Sequence, residues 1–372
     1  MQTRNTGGVP SRSRYAPAPA RQGQRNRRRK KRKNKTSGLL GLLIVVLTLA
    51  VAAMAAVRMG AMDFLPISGT EGGTYALYDD VQEALGYFRG QSAQEVRRWP
   101  KVYVVPLETY VAPLPDPAGY DESFTSYSDE TITVTYSTQM YYSSHIHFAD
   151  IRIKHPSQLR MALADDAYGN SHRAFPSEIA KSVNAVAAIN GCFYNTRTGG
   201  WLIYRRQMLR NVDRWFDVLL IDSDGNLYSR LDHSLRTNGF LEEHDIVSAL
   251  SFGPQLVQDG KAKVITTSMW QPDTLEPRAA ICQYSDGLHY MICVAEGRCA
   301  YSKGLTMQQF ANLLASKKVD FAYNLDGGKS ATMVIGGHTK NTPAYGNQRE
   351  LGDILYFATG IDHADAADAS GE

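Results

Sequence analysis

Cysteine is scarce in this chain. Four occur in 372 residues, Cys192, Cys282, Cys293 and Cys299, and none belongs to a C-x-x-C pair. That spacing argues against a zinc site and leaves isolated buried thiols as the plain reading. A disulfide becomes possible if the domain lies outside the cell. A nucleotide-type phosphate loop is missing too. Gly328-Lys329-Ser330 looks like the end of one, but the glycine required five positions before Gly328 is Tyr323. No internal repeat is present. Helical and strand-like segments do not alternate steadily, so a parallel sheet with crossover helices is not indicated.

Asp and Glu are absent from residues 1–37, which carry 13 Lys or Arg. With +13 in this tail and +3 overall, the rest of the chain carries −10. The folded part therefore gives no reason to expect nucleic-acid binding. Residues 1–37 read as a disordered basic tail. Charge is then absent from Gly38 to Val57, 20 residues of mostly Leu, Val and Ala. As a helix these span about 30 Å, the thickness of a bilayer core. The basic cluster on their N-terminal side places the tail in the cytoplasm and the remainder outside. A cleaved signal peptide is the competing reading, but its apolar region would be shorter. The expectation is a single-pass anchor in the cell membrane, with the C-terminal domain extracytoplasmic.

Residues 58–130 read as a stalk and connector, with one short helix at Leu77–Phe88 and five prolines between Pro100 and Pro117. Residues 131–360 read as one domain and 361–372 as a disordered tail. Strands are expected at 131–136, 145–153, 185–189, 218–221, 246–252, 278–284, 288–294 and 353–358. Hairpin turns fall at Asp224-Gly225-Asn226 and Ser285-Asp286-Gly287. Helices are expected at 178–183 with Ser177 as N-cap, and at 307–316 with Thr306 as N-cap. The fold class is α+β, a mixed or antiparallel sheet with few helices. His145 and His147 would share one side of a strand. They form a weak metal pair, because no third ligand is evident.

The stretch Asn324-Leu325-Asp326-Gly327-Gly328-Lys329-Ser330 organises the rest. Paired glycines allow a sharp turn and close approach, and such a turn offers N–H donors to an anion. Three further turns share its character: Asn190-Gly191, Glu296-Gly297-Arg298 and the segment from Tyr345 to Asp353. Together they hold carboxylates (Glu296, Asp326, Asp353) and guanidiniums (Arg298, Arg349, with Arg278 at a strand start). Paired carboxylates do acid–base work at glycosidic bonds, and arginine forks bind phosphate oxygens. The set suits a substrate that is both sugar and phosphate.

From about Ala149 to Phe357 the chain resembles the phosphodiester glycosidase family. The resemblance rests on Ala187-Ala188-Ile189-Asn190-Gly191, Phe252-Gly253-Pro254, Pro277-Arg278-Ala279, Glu296-Gly297-Arg298 with Ser302-Lys303-Gly304-Leu305-Thr306, Asn324-Leu325-Asp326-Gly327-Gly328 with Ser330, and Asn341-Thr342-Pro343 with Arg349. It implies removal of N-acetylglucosamine from a phosphodiester. Bacterial members of this kind are often membrane-anchored and exopolysaccharide-related. Many relatives carry Asp where this chain has Cys192, glycine at Lys329, Asp at Glu296, and an Arg-Asn-Gly turn at Tyr204-Arg205-Arg206. Cys192 and Cys299 each lie beside a motif turn, so a disulfide between them is conceivable.

The expectation is a membrane-anchored extracytoplasmic hydrolase of a sugar-1-phosphodiester linkage in a cell-surface glycan. Asp326 and Glu296 would be catalytic. Asn190, Arg278, Arg298, Asn324, Gly327, Gly328, Ser330 and Arg349 would bind substrate. No cofactor is implied, and a divalent metal is left open. The expected partners are a phosphorylated glycan or cell-wall polymer, and the membrane through residues 38–57, with no nucleic acid. The alternative is a catalytically impaired member acting as a glycan-binding or envelope-assembly module. A structural membrane protein whose tail binds anionic lipid or nucleic acid would leave the ordered motifs unexplained.

Overall fold

The computed structural model describes residues 103–106, 109–237, 239–266 and 269–362. The basic tail, the expected span at 38–57 and the helix at Leu77–Phe88 lie outside them. Among the described residues no helix is long and apolar enough to cross a membrane.

The domain is mostly β-sheet. Every strand pairing among the described residues is antiparallel, so of the two expected sheet types only one occurs. The central sheet has eight strands, in the order Lys261–Ala262, Gln255–Gln258, Phe321–Leu325, Arg278–Gln283, His289–Ala295, Ser144–Ile153, Ile132–Tyr141, Ser126–Ser128. A second sheet of five runs His338–Thr339, Met333–Ile335, Ala187–Asn190, Asp353–Phe357, Leu159–Leu163. A third runs Leu227–Leu231, Asp217–Asp222, Ile246–Ser251, Gly200–Tyr204, Gln207–Val212.

The period-two alternation of each strand explains the layering. Ala279 and Ile281 face a core shared with Ile189, Leu355, Leu219 and Leu250, to which all three sheets contribute. Ala280 and Cys282 face the other way, with Phe310 and Leu314 of the helix Met307–Ser316. The second sheet does the same: Ala188 and Ile354 pack on Ile179 of the helix Pro176–Ser182. Strands covered on both faces read as continuous apolar runs, which is why most were found from sequence.

Thr306 caps Met307–Ser316 as expected, its hydroxyl accepting from Gln309 N at 3.2 Å. The other helix starts two residues earlier than expected, at Pro176, whose fixed φ suits the first helical position. The sequence reading missed the hairpin Gly200–Tyr204 and Gln207–Val212, whose turn at Arg205 and Arg206 takes positive φ without glycine. It also missed Leu159–Leu163, where buried Arg160 interrupts the apolar pattern. Ordered structure begins before Thr131. Ser126–Ser128 pairs with the next strand, Tyr103–Val104 pairs with Ile361–Asp362, and Val105 and Ala112 are buried against Ile179 and Val183. All four cysteines are free thiols. No Cys192–Cys299 bridge forms, and three of the four are buried.

Candidate active site

The geometry follows from strand register. Leu325 pairs with Ala279, and Arg278 with Ala295. The ends of three adjacent strands thus bring Asp326, Arg278 and Glu296 to one edge of the central sheet. The second sheet delivers Asn190 and Asp353 to the same place. Asn190 Nδ2 donates to Asp326 O at 2.7 Å, and Asp326 N donates to Gly191 O at 3.2 Å. Asn190 Oδ1 accepts from Thr332 N at 3.0 Å, so this side chain ties the two turns together.

Asn324 does comparable work on the other side. Its Nδ2 donates to Gly253 O at 2.7 Å, and its Oδ1 is buried without a partner. Gly327 and Gly328 form a tight turn against Pro277. A Cβ on Gly327 would lie 2.5 Å from Pro277 O, and Gly328 N donates to that same oxygen at 2.8 Å. Gly328 has φ +58, which glycine adopts freely.

Asp326 sits on this turn as a part-exposed residue whose Oδ2 is sealed from solvent and has no hydrogen-bond partner. Burial pushes its carboxyl up to about 6, while Ser330 and the Arg197 and Arg349 charges pull it down. The Ser330 hydroxyl influences the carboxyl without satisfying it, since Ser330 Oγ is also buried and unpartnered. Among the described residues, nine buried side-chain polar atoms lack a partner. Five of them belong to Asp326, Ser330, Asn324, Thr332 and Arg197. Buried polar groups are normally paired. Their concentration on the Asp326 turn and the residues around it marks the place where the protein presents hydrogen-bonding capacity to something else.

Glu296 is the opposite case. It is 4% exposed, yet its carboxyl lies below the usual range. Burial alone would raise it; hydrogen bonds from His147 and from Thr342 N outweigh that. His147, one of the two histidines considered as a metal pair, contacts Glu296 Oε1 at 2.9 Å and the Tyr136 hydroxyl at 2.7 Å. Among the described residues no three His, Cys, Asp or Glu form a metal-binding group.

The arginines divide into two kinds. Arg278 is 3% exposed, and its guanidinium donates to four backbone carbonyls, of Leu305, Trp270, Gln271 and Thr274, at 2.8–3.1 Å. It is occupied with loop structure rather than free for a phosphate. Arg298 pairs with Glu276 at 2.6 Å and lies over the glycine turn, its Nη atoms 3.3 Å from where a Gly328 Cβ would be. Arg349 stacks 3.9 Å from the Phe193 ring centroid. Arg197, not singled out in the sequence, stacks on Trp270 and Phe252 at 4.2 and 4.4 Å, and its buried Nη1 has no partner. Stacking orients a guanidinium while leaving its N–H groups available. No local signal could have picked Arg197, since the two rings it stacks on most closely, Phe252 and Trp270, lie more than fifty residues away.

Asp353, which was grouped with these turns but not assigned a role, is fully buried beneath the Asn190-Gly191 turn. Its oxygens accept from Cys192 N at 2.8 Å and Phe193 N at 3.0 Å. The carboxylate at this turn thus comes from Asp353, below Cys192. A Cβ on Gly191 would fall 1.9 Å from Asp353 Oδ2 and 3.2 Å from its carbonyl. Gly191→Ala is therefore expected to cost about 3 kcal/mol through overpacking. Urea unfolding measures this, and a loss below about 1 kcal/mol would contradict the geometry.

A cavity of about 880 Å³ lies at the far end of the same strands, lined by residues such as Gln283, Gly287 and Phe321, and includes none of the site residues. Gln283, one of its buried polar residues, is satisfied by Leu227 N and Gly225 O.

Residues 183–358 match the family model of phosphodiester glycosidases. The fold is similar to that of the catalytic domain of zebrafish N-acetylglucosamine-1-phosphodiester alpha-N-acetylglucosaminidase, auto-inhibited by its pro-peptide. There the identity is 19%, over 61% of this chain and 82% of that one, with a TM-score of 0.49. A protein from Synechocystis is similar at 13% identity, over 61% of this chain and 62% of that one, with a TM-score of 0.47. No curated protein matches.

Proposed function

We propose that this chain, which carries a phosphodiester glycosidase domain over residues 183–358, hydrolyses a sugar-1-phosphodiester linkage in a cell-surface glycan. The observation that carries this reading is the pairing of two carboxyls whose environments drive them apart. Asp326 is raised to about 6 by burial, and Glu296 is lowered by its donors. Such a pair supplies an acid and a base at one pH.

In this reading Asp326 protonates the bridging oxygen as the C1–O bond breaks, so the phosphate leaves as a monoester. Glu296 takes a proton from the attacking water. The two lie at the ends of strands separated by one strand, roughly 10 Å from backbone to backbone across the sheet. Arg197, Arg298 and Arg349 hold the phosphate and stabilise its charge. Ser330 and the turn N–H groups orient the substrate, and Lys329 adds positive charge suited to an anionic polymer. Asn190, Asn324, Gly327, Gly328 and Arg278 position these groups. Residues 38–57 anchor the domain outside the membrane. An alkaline phosphatase fused after Glu372 should be active in the intact cell, and an inactive fusion would refute that topology.

Hydrolysis of an N-acetylglucosamine-1-phosphodiester should release reducing sugar. In ¹⁸O-labelled water the label should enter the sugar, because water attacks carbon. Label in the phosphate would mean attack at phosphorus, and no release above the Asp326→Asn control would sink the hydrolase. A binding module without turnover is the second reading, favoured by Cys192 and Lys329. Substrate binding without release in the same assay would select it.

A further inference from the structure

His147 is 6% exposed, lies on a strand that no family motif touches, and is contacted at both ring nitrogens. The proton positions follow from chemistry. Ionised Glu296 can only accept, so His147 Nε2 carries the hydrogen of the 2.9 Å contact. In a neutral imidazole Nδ1 is then the acceptor, so the Tyr136 hydroxyl donates to it at 2.7 Å. Lys340 packs over Tyr136, its Nζ 5.1 Å from the ring centroid. Burial and the nearby Glu296 charge both keep the phenol protonated. Among the described residues the hydrogen bonds to Glu296, from His147 and from Thr342 N, fall on Oε1, which leaves Oε2 to meet water.

We propose that Tyr136 and His147 are positioning residues that hold Glu296 as an oriented carboxylate with Oε2 directed at the reacting water. This deepens the hydrolase reading and rests on it for its consequence, but the array itself can be tested without turnover. The groups that act on Glu296 are His147 and His145 on the strand Ser144–Ile153, with Thr342 N on the loop before Ala344. Tyr136 acts on it through His147, and Lys340 packs over the Tyr136 ring. Among these only His147 and Thr342 N donate to the carboxylate, and only His147 can be removed by substitution without altering the backbone.

The test uses the full chain, labelled with ¹³C at Glu carboxyls, with the Glu296 signal assigned by its loss in Glu296→Gln. In His147→Phe the Glu296 carboxyl should titrate about one pH unit higher than in the native protein, because burial is no longer opposed by the ring N–H. The acidic limb of kcat/KM against pH should rise equally. His147→Gln, which keeps an N–H within reach, should restore much of both. Tyr136→Phe should move both in the same direction by less.

A rate loss in His147→Phe with neither titration moved would mean an ordinary packing role, and the proposal would be overturned. If His147→Phe does not fold, Tyr136→Phe decides by the same two readouts. If the native protein releases no sugar, the hydrolase reading fails by itself. The carboxyl titration then decides the array: a shift upholds it, and no shift refutes it.

Discussion

Asp326→Asn is expected to abolish hydrolysis and, at the same time, to make the protein more stable at neutral pH. The first effect follows from the loss of the general acid, a step worth about 10³-fold in kcat. The second follows from the sign of the shift. The folded carboxyl titrates at about 6 against 3.8 unfolded, so the unfolded chain loses this proton more readily. Stability from this group is fully present below about pH 4 and is lost as pH rises through about 6. Above that, an ionised Asp326 carries a buried, unpartnered Oδ2 and costs up to about 3 kcal/mol. Asparagine has the same shape and no charge. Melting curves should place the variant above the native protein at about pH 8 and level with it at about pH 4. A variant less stable at both would mean that Asp326 is a structural carboxylate.

The native profile should show the same chemistry. Activity should fall as pH rises through about 6 and Asp326 loses its proton. It should also fall at low pH, below the usual carboxylate range, where Glu296 gains one.

Arg278 and Arg197 should respond to truncation in opposite ways. Arg278→Ala leaves four backbone carbonyls without their donor, in a place water barely reaches. A loss of about 4 kcal/mol is expected, with the segment from Trp270 to Thr274 loosened. Trp270 is part of the aromatic stack under Arg197, so activity should fall as a consequence. Arg197→Ala removes one stacked guanidinium and should cost only about 1 kcal/mol of stability. Its effect should appear in KM, by about tenfold, because Arg197 Nη1 is a buried donor without a partner. Urea titrations and steady-state kinetics on both variants separate the cases. Equal stability losses, or a KM effect at Arg278 with stability intact, would reverse the assignment of the two arginines.

The sequence alone determined the features that depend on near neighbours. Thr306 and Gln309 specify a helix start within one turn, and the helix occupies the expected residues. Asp224-Gly225-Asn226 and Ser285-Asp286-Gly287 specify hairpins, and the flanking strands pair there. The Asp326-Gly327-Gly328 turn was legible because glycine's backbone freedom is a local property. So was the gathering of motif turns at strand ends, once antiparallel pairing placed Leu325, Ala279 and Val294 side by side.

Only the tertiary structure decided which groups are free and which are engaged. Arg278 and Arg298 look alike in sequence, each beside a motif glycine or proline. One is surrounded by carbonyls from residues 270–274 and 305; the other reaches over Gly328. Arg197 acquires its role from Trp270 and Phe252, and Glu296 its charge state from a histidine 149 positions away. Electrostatics and hydrogen bonding act through space, so the protonation and availability of a side chain are set by whatever the fold packs against it. The turn chemistry of Asp326 could be read from its neighbours along the chain. Its lifted carboxyl could not, because the burial that causes it comes from groups distant in the chain, among them the Asn190-Gly191 turn.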